Sequence, residues 1–152
     1  MQVSARVDYG MRALLELAGR GADDLVTAEE LARSQEVPEK FLEGILTQLR
    51  RAGLVVSKRG ADGGFRLGRP AERITVADVF RALDGPIAAV RGLAPEDLEY
   101  SGAAENLRDV WVATRAALRS VLEEVSLADV VAGRLPEHAV ALLSRPGAWS
   151  RR

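Results

Sequence analysis

Cationic side chains are concentrated in one short stretch of this 152-residue chain, where they could neutralise a polyanion. Between residues 40 and 69, seven cationic side chains stand against two carboxylates, although the whole chain has a formal net charge of −1. The seven are Lys40, Arg50, Arg51, Lys58, Arg59, Arg66 and Arg69. Such a local excess is typical of a phosphate-binding surface, but it also occurs on solvated surfaces that bind nothing.

The chain offers few groups for catalysis or metal binding. It has no cysteine and a single histidine, His138, which excludes disulfides, thiolate-held zinc or iron–sulfur sites and multi-histidine metal sites within one chain. The glycine-rich segment 60–64 precedes a predicted strand rather than a helix, so it is not a P-loop, and no nucleophile–base pair is recognisable. We predict that the protein is not an enzyme and holds no cofactor.

The location of the protein is predicted from what the sequence lacks. No run approaches the ~18 apolar residues of a membrane span, and the first residues do not have the layout of a signal peptide. We therefore expect a cytoplasmic protein without a membrane partner.

The cationic stretch coincides with two predicted helices and a hairpin. Thr27 and Glu30 form a predicted capping box that begins a short helix ending near residue 35. A second helix follows to residue 51, with apolar residues at spacings of three and four. Two β-prone runs flank the turn 59–64, which is rich in residues that tolerate positive φ. The predicted fold class is mainly α with a small β-hairpin, arranged as a winged helix-turn-helix domain plus a long dimerisation helix.

A winged helix-turn-helix suits duplex DNA, because its second helix fits the major groove. Lys40 could contact a phosphate or a guanine, Glu43 could accept from a cytosine amino group, and Arg59 could enter a narrow minor groove. The predicted DNA-binding residues are Lys40, Phe41, Glu43, Arg50, Arg51, Lys58, Arg59, Gly60, Gly63 and Gly64. In the alternative, the same domain is a protein-interaction module, Phe41 belongs to the core, and the arginines only stabilise a helix end.

A long amphipathic segment is predicted from residue 104 to residue 125. Antiparallel pairing with a second copy would bury one apolar face and place two recognition helices about 34 Å apart, matching a palindrome. That face consists of Leu107, Val110, Trp111, Leu118, Val121 and Leu122. The rival interpretation packs the helix onto its own domain, and burial contributes roughly 1.5–3 kcal/mol per large side chain either way.

Four segments are predicted along the chain. Residues 1–85 form the DNA-binding domain and 86–103 an acidic loop. Residues 104–133 contain the dimerisation helix and a short following helix, and 134–152 form a C-terminal tail.

Several motifs resemble the Rrf2 (Rrf-two) family of bacterial winged-helix transcriptional regulators. They are VPEKFLEGIL at 37–46, LRRAGLV at 49–55, RGADGGFRL at 59–67, ITVADV at 74–79 and SLADV at 126–130. The resemblance spans residues 3–131. It implies a homodimer that binds a palindromic operator and usually represses transcription. It also implies base contacts from Lys40, Phe41 and Glu43 and a wing contact from Arg59.

The chain departs from the sensing members of that family, which carry cysteines in the stretch matching residues 92–105. This chain would be a cysteine-free member, so a cluster held by cysteines is excluded. Some relatives use an acidic ligand where Asp8 lies, but without thiolates Asp8 is predicted to be an ordinary surface or salt-bridging group. The signal stays open between no ligand, a protein partner and a small-molecule effector near Tyr100 and Trp111.

Overall fold

Residues 2–151 are the residues described by the computed structural model, and they contain seven α-helices and a two-stranded hairpin. They are α1 (Ala5–Ala18), α2 (Ala28–Gln35), α3 (Glu39–Arg51), β1 (Val55–Lys58), β2 (Gly64–Leu67), α4 (Val76–Leu83), α5 (Leu107–Leu122), α6 (Leu127–Ala132) and α7 (Glu137–Leu143). The predicted fold class is confirmed. Residues 1 and 152, at the ends of the first and last predicted segments, lie outside the described residues. Within 2–151, every helix is too short or too polar to cross a membrane.

Side-chain caps determine where several helices begin. At α2 the Thr27 hydroxyl accepts from the Glu30 amide at 3.1 Å, but the predicted capping box is only half formed. The Glu30 carboxylate instead lies 3.3 Å from the Arg20 guanidinium, which offers a full positive charge in place of a backbone amide. A complete box begins α6, where hydrogen bonds from the Ser126 side chain and backbone amide hold the pKa of Asp129 below its usual value.

One apolar core joins α1 to α4, the hairpin and the start of α6. Leu127 of α6 is fully buried in this core. The Leu127 amide donates to the Ile74 carbonyl, and the Val76 amide donates to the Val125 carbonyl, both at 2.9 Å. The chain after α5 therefore folds back onto the core that α1 to α4 and the hairpin form.

Gly10 lies where α1 packs closely against side chains of α3 and α4. A Cβ atom added there would lie 2.5 Å from Leu83 Cδ1 and 3.3 Å from Ile45 Cγ2. We expect Gly10→Ala to lower the free energy of unfolding by about 1–3 kcal/mol, because the overpacking outweighs alanine's better helix propensity. Urea denaturation followed by circular dichroism would measure the change, and a more stable variant would contradict this account.

The long helix is shorter at both ends than the predicted 104–125. A 3-10 turn at Gly102–Ala104 precedes α5, and Leu122 ends it, four residues before the cap of α6. The periodic pattern continues beyond Leu122 because Val125 is also buried, although it lies outside the helix. A buried apolar residue in the connecting turn therefore continued the helical spacing of the sequence, and the helix was predicted to be too long.

The segment 86–103 is anchored to α5 along much of its length. Pro95 and Leu98 are buried, and the Glu96 carboxylate pairs with the Arg115 guanidinium of α5. Hydrogen bonding from Arg115 keeps the pKa of Glu96 below its usual value. These contacts tie the predicted loop to the helix that follows it.

Candidate nucleic-acid interface

A short turn fixes α3 at a set angle to α2. Glu36 follows α2 with a left-handed φ of 52°, and the Val37 amide donates to the Ala32 carbonyl at 2.9 Å. The Arg12 guanidinium of α1 donates to the Gln35 carbonyl, which lies in the last turn of α2. Contacts from α1 and α2 therefore hold the turn that positions the recognition helix, as we call α3 from here on.

The recognition helix buries one face and exposes the other. Its buried residues lie at helical spacing and belong to the core: Leu42, Ile45, Leu46 and Leu49. Lys40, Glu43 and Gly44 are exposed. Phe41 is 43% exposed and meets the Tyr9 ring edge-on, with ring centroids 5.7 Å apart. Phe41 is therefore not a core residue, because it lies one position outside the buried stripe.

The hairpin 55–67, which we call the wing, is anchored by the backbone beside its second strand. The strands pair antiparallel from Val55 opposite Leu67 to Lys58 opposite Gly64. Phe65 exchanges both backbone hydrogen bonds with Val26, at 2.8 and 2.9 Å. A Cβ atom at Gly64 would lie 2.8 Å from the Val26 carbonyl oxygen, so glycine is needed for this close approach.

The tip of the wing is also tightly folded. A Cβ atom at Gly63 would lie 2.3 Å from the Lys58 carbonyl oxygen, and Gly60 has a φ of 108°. Two of the predicted DNA-binding glycines, Gly63 and Gly64, thus shape the wing, whereas Gly60 permits its turn.

A groove of about 310 Å³ lies between the start of α2, the end of the recognition helix and the wing. The Arg50 guanidinium bridges two of these elements by donating to Ser57 Oγ at 3.3 Å. Arg51 is exposed beside the groove and does not line it. The groove brings together six of the ten predicted residues, namely Arg50, Lys58, Arg59, Gly60, Gly63 and Gly64.

Most cations of this surface have no carboxylate partner. Among the ion pairs formed within 2–151, Arg69 lies 3.9 Å from Asp78 and is the only one of the seven cations engaged in this way. The charges on the recognition helix and wing are thus available to an external anion. This property depends on the fold, because the sequence alone does not show which carboxylates come within reach.

Gly44 is a functional candidate to which sequence reasoning gave no separate role. It lies in the middle of the recognition helix, is exposed, and has no atom within 4 Å of an added Cβ. Glycine inside a helix costs about 1 kcal/mol relative to alanine. Close packing around Gly10 offsets that cost, whereas Gly44 has no packing contact that would offset it. A lone glycine within a helical pattern is the sequence signal that could have identified it.

Helix α5 has no buried residue, which sets it apart from the other six α-helices of the described chain. Leu118 and Leu122 are half-buried and pack against the core of their own domain. Leu107, Trp111 and Val121 are half-buried, and Val110 is 53% exposed. The helix therefore rests partly on its own domain and leaves part of its apolar face uncovered.

The three weaker candidates lie on different elements. Asp8 is exposed on α1 and lies 3.6 Å from the Arg12 guanidinium. Trp111 Nε1 donates to the Tyr100 hydroxyl at 3.2 Å, which joins α5 to the preceding segment. Asp8 thus forms a surface ion pair, whereas the two aromatic residues contact each other.

A family profile described as "Iron-dependent Transcriptional regulator", Rrf2, matches residues 3–133. The donor groups of this chain do not fit an iron site. The chain has no cysteine, and residues 2–151 contain no group of three or more His, Cys, Asp or Glu side chains placed to hold a metal ion. Iron therefore has no part in the mechanism proposed below.

Relatives of this chain include named regulators and solved structures. A provisionally named HTH-type transcriptional regulator of Mycobacterium tuberculosis is 49% identical over 142 residues, covering 93% of this chain and 88% of the relative. The HTH-type transcriptional regulator CymR of Bacillus subtilis is 34% identical over 130 residues, covering 86% and 89%.

The solved structure of CymR, the global cysteine regulator of B. subtilis, superposes with a TM-score of 0.74 at 32% identity and covers 88% of this chain and 98% of that one. The structure of IscR from T. potens gives a TM-score of 0.71 at 28% identity, covering 99% and 97%. Fold, sequence profile and relatives agree over most of the chain. The protein belongs to the Rrf2 family of winged-helix transcriptional regulators.

Proposed function

We propose that this regulator binds a palindromic DNA operator as a homodimer and represses transcription from it. The observation that carries the proposal is the set of cations without carboxylate partners along the end of the recognition helix and the wing. A protein seated on an operator competes with the transcription machinery for the same duplex, and this competition is the basis of repression.

The residues on this surface divide into two roles. Arg50, Arg51 and Lys58 contact phosphates, and each contact releases counterions and adds to the salt dependence of binding. Arg59, at the wing tip, enters a narrow minor groove, where the negative potential is strongest.

Sequence discrimination comes from the first turns of the recognition helix. Lys40, Phe41 and Glu43 are exposed there and meet base edges in the major groove. Glu43 accepts from a cytosine amino group. It is the one carboxylate among these three residues, so its partner must be a base that donates a hydrogen bond.

The homodimer forms through α5. Support comes from its uncovered apolar face, since an amphipathic helix without a buried residue gains little from its own chain. In a two-fold dimer each α5 meets the same surface of the other subunit, so the two recognition helices read equivalent half-sites.

Selection of bound duplexes from a random pool tests DNA binding and dimer geometry together. We expect a palindrome whose half-sites are centred about 10 base pairs, one helical turn, apart. Recovery of no preferred sequence would contradict the proposal and would favour the alternative, a winged-helix module that binds protein.

Glu43→Ala should relax the base preference at one position of each half-site. We expect discrimination for cytosine there to fall about 10- to 100-fold, because a good base contact contributes roughly 1–3 kcal/mol. Competition binding with single-base operator variants would measure the change. Glu105→Ala removes the same charge from an exposed position outside the recognition helix and serves as the matched control. An unchanged cytosine preference in Glu43→Ala would remove Glu43 from the proposed contacts.

A further inference from the structure

The exposed face of the recognition helix has a gap at Gly44. We infer that this gap receives the 5-methyl group of a thymine in the operator. The inference rests on the proposed function, because it requires a base edge to lie against the recognition helix.

The fold itself makes no use of this glycine. Gly44 has no positive φ, and a side chain there would meet nothing within 4 Å. Alanine would therefore fit the folded chain and would favour the helix. The advantage of glycine lies with a molecule that approaches the helix from outside.

Two residues of the recognition helix form the proposed walls of the gap. Residues one turn away along a helix are neighbours on its surface, which places Phe41 and Thr47 on either side of Gly44. The Phe41 side chain is 43% exposed. The Thr47 hydroxyl donates to the Glu43 carbonyl at 2.9 Å, so we assign the thymine contact to its methyl group. An aromatic side chain and a threonine therefore flank bare helix backbone at Gly44, which leaves open space there.

Thymine is the base that such a gap suits. Its 5-methyl is the apolar group of the major groove, and alanine, threonine and phenylalanine side chains contact it through their apolar atoms. A missing Cβ lets the base edge approach the backbone, whereas an alanine methyl would occupy the space needed by the thymine methyl. Glu43, next in the chain, faces the same groove for a polar contact.

The test uses the duplex recovered by selection, with each thymine replaced in turn by deoxyuridine, which lacks only the 5-methyl group. We expect affinity to fall about fourfold at one thymine in each half-site, as for the loss of one buried methyl group. Equal binding of all the deoxyuridine duplexes would overturn the inference.

Gly44→Ala is expected to raise the thermal stability of the protein and to lower its affinity for the operator. The melting temperature should rise by about 2–4 °C, because the helix gains alanine's propensity. Operator affinity should fall at least about tenfold, as expected when a tightly packed contact is overfilled, and the preference for thymine over deoxyuridine should disappear. A variant that keeps this preference would overturn the inference, as would one that loses thermal stability.

Two substitutions at Thr47 form a matched pair. Thr47→Ser removes the methyl group and should reduce the preference for thymine, whereas Thr47→Val keeps a methyl group and should retain it. The reverse order would contradict the proposed walls. If the wild-type protein selects no duplex at all, the proposed function and the inference both fail. If it selects a duplex without discriminating thymine from deoxyuridine, only the inference fails.

Discussion

Val110→Glu is expected to convert the dimer into monomers and to lower operator affinity about 10²- to 10⁴-fold, the range over which linkage of two binding modules acts. Val110 is 53% exposed within one chain, so a carboxylate there stays hydrated in the monomer. In a two-fold interface the substitution appears twice and buries two unpaired charges, which is strongly destabilising. The expected effect is therefore on assembly rather than on folding.

Sedimentation equilibrium would measure the mass of the particle, which should fall from twice 16.4 kDa to 16.4 kDa. Fluorescence anisotropy with the selected operator would measure the loss of affinity. Ala116→Glu is the matched control, because it adds the same charge to an exposed position on the opposite face of α5. A Val110→Glu protein that remains a dimer would show that α5 is not the subunit interface.

Arg59→Ala is expected to weaken operator binding about 10- to 100-fold and to reduce the slope of log Kd against log salt concentration by about one. Arg59 is exposed at the wing tip and lines the groove beside the recognition helix. Because it forms no ion pair within the described chain, its removal should leave thermal stability unchanged. Anisotropy titrations over a series of salt concentrations would give both quantities.

Two further variants separate charge from groove recognition. Arg59→Lys keeps the charge and should keep the salt slope, but it should weaken the preference for the A·T-rich sequence whose narrow minor groove favours arginine. Arg134→Ala removes a cation from an exposed position outside the recognition helix and the wing, and its salt slope should stay close to wild type. Equal slopes for Arg59→Ala and the wild type would exclude Arg59 from the phosphate or groove contacts.

Local chemistry made the first half of the fold predictable. The helices α1 to α4 have side-chain caps or apolar residues at helical spacing, and both signals act over three or four residues. The glycine-rich turn predicted the wing for the same reason. The capping box at Thr27 was half wrong, because Arg20, which follows the end of α1, competes for Glu30.

The candidate site was less predictable wherever distant residues meet. Phe41 lies one position outside the buried stripe of its helix, and its ring meets Tyr9 of α1 instead of the core. The predicted helix 104–125 was too long because Val125 is buried in the turn after α5, where its carbonyl accepts from the Val76 amide. Neither contact has a signal in the local sequence.

The sequence by itself determined the helical order, the hairpin, the family, the concentration of positive charge and the absence of any thiolate ligand. Tertiary structure alone decided that Arg50, Lys58 and Arg59 border one groove, that Val110 is left uncovered, and that Gly10 is packed while Gly44 is open. The physical reason is the separation along the chain over which each kind of interaction acts. Caps, turns and helical periodicity act between near neighbours in the chain, whereas burial and the pairing of charges depend on which distant segments come together.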